Sequence, residues 1–381
     1  MPTNNKEKIS VDLFCSVIDN YGDIGVCYRL ARELSRNHKF VSLYVDDLQA
    51  LRTIEPSFPL NATKYQLSPS IIIKYWSKVC EDYTPADVII ECFACNLDES
   101  YIKKMTSRTL WINLEYLSAE SWIEGCHKLP SFQNNGVNKY FFFPGFTNKT
   151  GGLNFEENFP LITYDYARHK VQELLQLPVS SIDRFTVQIF SYETPQLFPL
   201  LSAILKHHPD TLFLLPEGRS TKYLLETRAS DTKKLQAMYP NALWHVFPMQ
   251  QQEAYSYIIK ACDLNVVRGE DSITQAVING RPFLWHIYQQ KDNIHLDKLR
   301  AFTELLTQNT TPKLRSIIEQ AFLALDNSSS NTCSASVIFN EFMIEYCQIF
   351  GLCKTWSESL IQNNSLGRNL SEFINSCLDK E

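Results

Sequence analysis

Short runs of β-branched and aromatic residues, each bounded by polar turns and followed by apolar residues at helical spacing, recur along the whole chain and commit it to strand–helix alternation. The first run, 11–18, passes through the polar stretch 19–23 into 26–36, where Leu30, Ala31 and Leu34 share one helical face. Similar runs stand at 40–45, 87–94, 109–114 and 140–143, with helix-suited segments such as 98–107 between them. They are nearly continuous in apolar character, which predicts sheets covered on both faces. After a glycine-rich stretch at 145–152 the pattern loosens over 154–165, and a helical segment at 167–177 leads into a second alternation with strands at 185–190, 211–215, 243–247, 264–267 and 282–286. The 327–332 stretch reads as a polar loop, and 357–378 as helical.

The sequence has 381 residues, more than a single core usually holds, so two α/β halves are expected. The expected division is 1–175, 176–356 and a C-terminal segment 357–381. With 36 basic and 42 acidic residues the formal charge is -6, so no global positive field draws the chain to nucleic acid or anionic lipid. Direct nucleic-acid and membrane partners are therefore not expected. The eleven cysteines are odd in number and scattered, and several lie in apolar runs, as reduced thiols of a cytoplasmic protein do. Cys92 and Cys95 have redox or half-zinc spacing, but no second pair completes a ligand set, and no chemistry is assigned to them. The polar N-terminus lacks the apolar core of a signal peptide, and no apolar run reaches membrane-spanning length.

Ligands of parallel sheets collect beyond the carboxyl ends of the strands, which singles out the loops after 18, 190, 247 and 267. The first reads Ile18-Asp19-Asn20-Tyr21-Gly22-Asp23-Ile24-Gly25 and is not a Gly-x-Gly-x-x-Gly fingerprint. Its two carboxylates repel phosphate and suit a cationic group or a proton, while Asp23 is equally placed to cap the helix and Asp19 to close the turn. The cluster Arg268-Gly269-Glu270-Asp271-Ser272 stands at a strand end, a glycine turn and a helix start. First-turn N–H groups with Arg268 nearby suit a phosphate, and Glu270 suits sugar hydroxyls. A plain helix cap by Asp271 or Ser272 is the alternative. Phe190 and Tyr192, and Phe247 with Gln250, supply rings and an amide for a nucleobase, though aromatic residues are as readily core. His286 and His295 near Asp292 and Asp297 match no usual zinc spacing, and the chain has no Asp-x-Asp, so neither metal nor other cofactor is expected.

At these residues the sequence resembles EarP, the protein-arginine rhamnosyltransferases of bacterial translation elongation factor P (EF-P). The resemblance is carried by Phe14-Cys-Ser-Val-Ile-Asp-Asn-Tyr-Gly-Asp-Ile-Gly-Val-Cys-Tyr-Arg-Leu-Ala-Arg32, by Asn113-Leu-Glu-Tyr-Leu-Ser-Ala-Glu-Ser-Trp-Ile-Glu-Gly-Cys-His127, by Phe141-Phe-Phe-Pro-Gly-Phe-Thr147 and by Arg268-Gly-Glu-Asp-Ser272. It implies a GT-B architecture, two Rossmann-like domains facing across a cleft, with the terminal helix crossing back to the first domain. It also implies an inverting transfer of L-rhamnose from dTDP-β-L-rhamnose to an arginine of EF-P, which activates EF-P for rescue of ribosomes stalled at polyproline. By resemblance, Asp19 and Asp23 are catalytic, and these two with Glu115 hold the acceptor. Tyr21, Gly22, Phe190, Tyr192, Phe247, Gln250, Arg268, Glu270, Asp271 and Ser272 hold the nucleotide sugar, with Gln252 an alternative to Gln250. Rival readings are a GT-B transferase with another sugar or acceptor, a dinucleotide-dependent oxidoreductase, which the missing fingerprint disfavours, and a non-catalytic EF-P-binding module.

Overall fold

A computed structural model of the chain describes residues 9–18, 22–37, 40–59, 61–77, 79, 82–326 and 332–379. Asp19, Tyr21 and most of the polar loop at 327–332 lie outside the described residues. The chain divides into two α/β units, Met1–Glu156 with Asn363–Glu381, and Glu157–Gln362.

The first unit is built on β1 (Ser10–Cys15), β2 (Phe40–Val45), β3 (Lys64–Ser68), β4 (Ile71–Tyr75), β5 (Val88–Cys92), β6 (Leu110–Leu114), β7 (Pro130–Phe132) and β8 (Asn138–Phe142). Their order in the sheet is β3-β4-β2-β1-β5-β6-β8-β7, parallel except for the two edge strands β3 and β7. Side chains of β1 alternate as a pleat requires. Val11, Leu13 and Cys15 enter a core shared with helix Gly22–Asn37, whereas Phe14 enters a core with Trp76, Tyr83, Tyr101 and Trp111 on the other face. Both faces are thus covered, which is why the central strands read as continuous apolar runs. Burial pushes the Cys92 thiol up to about 11, and Cys95 is raised by the same cause. Neither is a reactive thiolate.

The second unit carries β9 (Thr186–Ile189), β10 (Leu212–Pro216), β11 (Leu243–Phe247), β12 (Leu264–Arg268) and β13 (Phe283–His286), all parallel in the order β11-β10-β9-β12-β13. Chain direction across this sheet reverses between β9 and β12, so the carboxyl ends of these two strands form its switch point. In the first unit the corresponding reversal lies between β1 and β5.

The expected boundary after residue 175 falls instead between Glu156 and Glu157. One carboxylate accounts for the difference. Asp263, just before β12, accepts hydrogen bonds from the Tyr164 hydroxyl at 2.7 Å, the Thr186 N–H at 2.8 Å and Arg281 Nη1 at 2.9 Å, with Arg168 Nη1 at 3.4 Å. Tyr164 and Arg168 belong to helix Tyr164–Leu174, which is thereby fixed to the second sheet.

The single terminal helix expected from 357 is broken. Helix Tyr346–Ile361 stays with the second unit, Asn364 takes a left-handed φ of 65°, and helix Leu366–Leu378 packs in the first. Ser365 caps it by accepting from the Arg368 N–H, and Leu366, Leu370 and Ile374 are fully buried in the first core. Gly367 permits its close approach to helix Gly22–Asn37, since a Cβ there would stand 2.6 Å from Glu33 Cβ. No helix among the described residues is long and apolar enough to cross a membrane.

Replacing a helical glycine by alanine ordinarily stabilises by about 1 kcal/mol. Gly367→Ala is expected to do the reverse, costing about 1–3 kcal/mol through overpacking. Urea unfolding followed by circular dichroism measures the sign.

Candidate active site

The loop after β1 is held from two sides by carboxylates. Asp46, following β2, accepts from Ser16 Oγ at 2.5 Å and from the Val17 N–H at 2.9 Å. Asp23, in the first turn of helix Gly22–Asn37, accepts from the Ile18 N–H at 2.8 Å and is only 4% exposed. Both charges oppose ionisation of the neighbouring Cys15 thiol, whose pKa is pushed well up by its bond with Cys27 and by burial. This strand end therefore carries a concentrated negative potential, and one oxygen of Asp23 is spent on shaping the loop. Gly22 is half-buried at the helix start.

Glu115 follows β6 and is half-buried; its N–H donates to Phe142 O at 2.9 Å and its carboxylate accepts from Asn113 Nδ2. β5 stands between β1 and β6. Two strand spacings, ~10 Å, therefore separate the strand ends that bear Asp23 and Glu115. Beyond β5, Phe93, Ala94 and Asn96 all take positive φ, and Phe93 stacks on Tyr116 at 4.5 Å between ring centroids, covering the turn beside Glu115.

In the second unit the decisive group is Arg268, the last residue of β12. It is 8% exposed, and its guanidinium carbon lies 4.9 Å from the Phe190 ring centroid and 4.7 Å from that of Tyr192. Its Nη1 is buried with no hydrogen-bond partner, and no carboxylate lies in ion-pair range of it among the described residues. A buried guanidinium in that condition is costly unless an anion completes it. Gly269 follows with φ 69° and ψ 176°, a conformation essentially restricted to glycine, and opens helix Glu270–Asn279 without a side-chain cap. The N-cap position is thus held by Gly269 and not by Asp271 or Ser272.

Glu270 and Asp271 are half-exposed in the first turn, where the helix dipole favours negative groups. Ser272 is buried beside the Tyr255 hydroxyl, which takes a hydrogen bond from Gln188 Nε2. Phe190 packs edge-on to Tyr255 at 5.7 Å. Phe247, 2% exposed, sits in the same core and closes β11. Gln250 turns back to donate to Pro248 O at 2.8 Å, whereas Gln252 Nε2 reaches Asp271 Oδ2 at 3.3 Å, so Gln252 is the glutamine that joins the cluster.

Arg219 and Tyr288 also meet here. Arg219 pairs with Glu193 at 2.7 Å and lies 5.6 Å over the Tyr192 ring, which Tyr288 contacts at 5.9 Å. Burial works to raise the Glu193 carboxyl, but the Arg219 hydrogen bond and the charges of Arg219 and Arg268 hold it below the usual range. The strand-end rule, applied also to β10 and β13, points to Arg219 and Tyr288. His286, at the end of β13, touches Tyr192 edge-on at 5.3 Å, and burial beside Arg268 pushes its pKa down to about 4, so the imidazole is neutral at neutral pH.

The family described as Elongation-Factor P (EF-P) rhamnosyltransferase EarP matches residues 11–375 of this sequence. The chain belongs to the EarP family. A protein-arginine rhamnosyltransferase of Pseudomonas putida is 40% identical over 310 residues, 77% of this chain and 81% of its own length. Those of Shewanella oneidensis and Neisseria meningitidis are 39% identical over 325 residues (80% and 82%) and 35% identical over 321 (79% and 80%). Among solved structures, one described as the structural basis for EarP-mediated arginine glycosylation of translation elongation factor EF-P superposes with a TM-score of 0.62 at 22% identity, over 97% of this chain and 99% of that one. Arabidopsis thaliana UGT89C1 complexed with UDP gives 0.56 at 12% identity, over 97% and 100%. The fold is that of the GT-B glycosyltransferases, and the EarP chain is an enzyme of the protein-arginine rhamnosyltransferase class.

Gly269→Ala is expected to lose about 1–3 kcal/mol of stability, because alanine cannot hold the glycine-only conformation without strain. The turn that follows Arg268 shifts with it. A thermal melt measures the loss, and an unchanged melting temperature would count against it.

Proposed function

We propose that the chain transfers L-rhamnose from dTDP-β-L-rhamnose to one arginine of translation elongation factor P in the cytoplasm, inverting the anomeric centre and fitting that factor to rescue ribosomes stalled at polyproline. The observation that carries the donor half is Arg268, a buried guanidinium with an unsatisfied nitrogen beside a helix start. A nucleoside diphosphate supplies the missing anion, and rings and amides near it suit the base and sugars. In this reading Phe190, Tyr192 and Phe247 with Gln252 or Gln250 line the base and sugar side, Glu270 accepts from donor hydroxyls, and Asp271 and Ser272 shape the first turn. Tyr21 and Gly22 belong to the same donor-binding set by family resemblance.

The acceptor half rests on the negative first unit. An arginine guanidinium has a pKa above ~12 and a delocalised lone pair, so it becomes a nucleophile only when carboxylates orient and deprotonate it. Asp19 takes the proton as a guanidinium nitrogen attacks the anomeric carbon; the bond from that carbon to the diphosphate oxygen breaks on the opposite side, and dTDP leaves. Asp23 and Glu115 hold the cation, and the leaving charge falls to Arg268 and the first-turn N–H groups without a call for metal.

Asp19→Asn is expected to lose at least ~10²-fold in turnover while keeping dTDP affinity, the scale of general-base catalysis. Arg268→Gln and Glu270→Ala are expected to weaken dTDP or donor binding about ten- to a hundredfold, as loss of a charged hydrogen bond does. Calorimetry with dTDP and initial rates distinguish the two patterns. Mass spectrometry of elongation factor P after incubation with enzyme and dTDP-rhamnose tests the whole reading. One deoxyhexose on one arginine supports it, and an unmodified factor leaves a binding module.

A further inference from the structure

The second unit contains a buried acid–imidazole cluster that the proposed chemistry leaves unused. His286 ends β13 and is 1% exposed; His295 lies in helix Ile294–Leu306, and Asp326 ends helix Pro312–Asp326, both buried. His295 Nε2 stands 3.0 Å from Asp326 Oδ2, and His286 Nε2 stands 3.8 Å from Oδ1. The Gln290 N–H donates to His295 Nδ1 at 3.1 Å, so that nitrogen is unprotonated and the one facing Asp326 carries the ring's hydrogen. Gln289 Nε2 donates to the Asp326 backbone oxygen at 3.1 Å.

These bonds converge on the short segment 287–290, which leaves β13 and carries Tyr288. Gln289 is tied to Asp326 directly, and Gln290 through His295. On its other side the same strand end meets Tyr192, against which His286 packs at 5.3 Å with ring planes at 86° and Tyr288 at 5.9 Å with planes at 69°. Tyr192 in turn covers the Arg268 guanidinium at 4.7 Å. The contacts thus run from Asp326, through two histidines and one loop, to the ring that lies on the unpaired cation.

We propose that Asp326 is a positioning residue for the donor site: by fixing His286 and the Tyr288 segment, it braces Tyr192 over Arg268 in the orientation that receives the nucleoside diphosphate. This rests on the donor-site reading given above. A carboxylate in such surroundings is held at a cost, and burial accordingly pushes the Asp326 carboxyl up while His295 works against that shift. The carboxylate lies in ion-pair range of both imidazoles and accepts no aligned hydrogen bond from either, so it acts on them through charge and close contact. Those two imidazoles are held beside one buried carboxylate, and one of them packs on Tyr192. Asp326 touches no reacting atom, so its effect falls on donor affinity rather than on the chemical step.

The test uses the full chain, with calorimetry against dTDP and initial rates at varied dTDP-rhamnose. Asp326→Ala is expected to raise the dTDP Kd and the donor KM about tenfold while kcat at saturating donor stays within about twofold. Asp326→Asn keeps the side chain's size and an oxygen beside His295 Nε2 and is expected to return the Kd to within about threefold of the parent. A role confined to stability would lower the melting temperature and the active fraction but leave the dTDP Kd of the folded protein unchanged; that result overturns the proposal. Should the alanine variant not fold, Gln289→Ala, at an exposed position, cuts one tie and is expected to weaken dTDP by about threefold, with an unchanged Kd again decisive against it. Arg268→Gln is measured in parallel. If it binds dTDP like the parent, the donor-site reading itself falls and this inference with it; if it loses affinity while Asp326→Ala and Gln289→Ala do not, only the role of Asp326 falls.

Discussion

A guanidinium taken out of water without a carboxylate in ion-pair range is one of the least favourable arrangements a core can hold, and among the described residues Arg268 is in that position. Two rings make it tolerable in the absence of an anion. Phe190 comes from the end of β9 and Tyr192 from the loop after it, so the faces that receive the charge arise from the strand neighbouring β12 at the reversal of the sheet. Cation–π contact recovers part of the lost solvation, of the order of ~2 kcal/mol when desolvated, and leaves the rest to a bound anion. The aromatic pair and the glycine that turns the chain after Arg268 both bear directly on that cation.

The first unit solves the opposite electrostatic problem. Its strand ends gather carboxylates, and two of them, Asp23 and Asp46, are engaged by backbone N–H groups and a serine hydroxyl of the loop after β1. The loop is shaped by negative groups rather than by the glycine-rich backbone that cradles phosphate. The first unit presents carboxylates at its strand ends and the second a buried cation, a division that suits a transferase acting on an arginine. The division also explains why an EarP chain has a Rossmann-like first unit without the dinucleotide fingerprint: the switch point exists, but its charge is wrong for a pyrophosphate.

Ten of the thirteen strands among the described residues were legible as apolar runs; eight of them stand inside their sheets, and the other two, β11 and β13, are the edges of the second sheet. β3, β4 and β7 were not read: β3 and β7 are edge strands that alternate or mix polar and apolar residues, as half-exposed strands do, and β4 is a five-residue run joined to β3 by a tight turn. Helix Tyr164–Leu174 was seen, but its allegiance was not, since that depends on Asp263, ninety-odd residues away, gathering Tyr164 and Arg168. In the second unit, the strand-end rule led to Phe190, Tyr192, Arg268 and Glu270, which the structure brings to the carboxyl ends of β9 and β12. It could not choose between Gln250 and Gln252, which differ only in which way one turn faces.

Periodicity, charge and the specific motifs by themselves determined two α/β halves, their strand ends as the places of chemistry, and the membership in the EarP family, because each is written in local residue order. Tertiary structure alone decided that Arg268 is buried and unpaired, that Ser272 turns inward to Tyr255, that the chain's last helix completes the first core, and that Asp326 lies between two histidines. These depend on side chains distant in sequence sharing one small volume, where desolvation makes the presence or absence of a single partner matter.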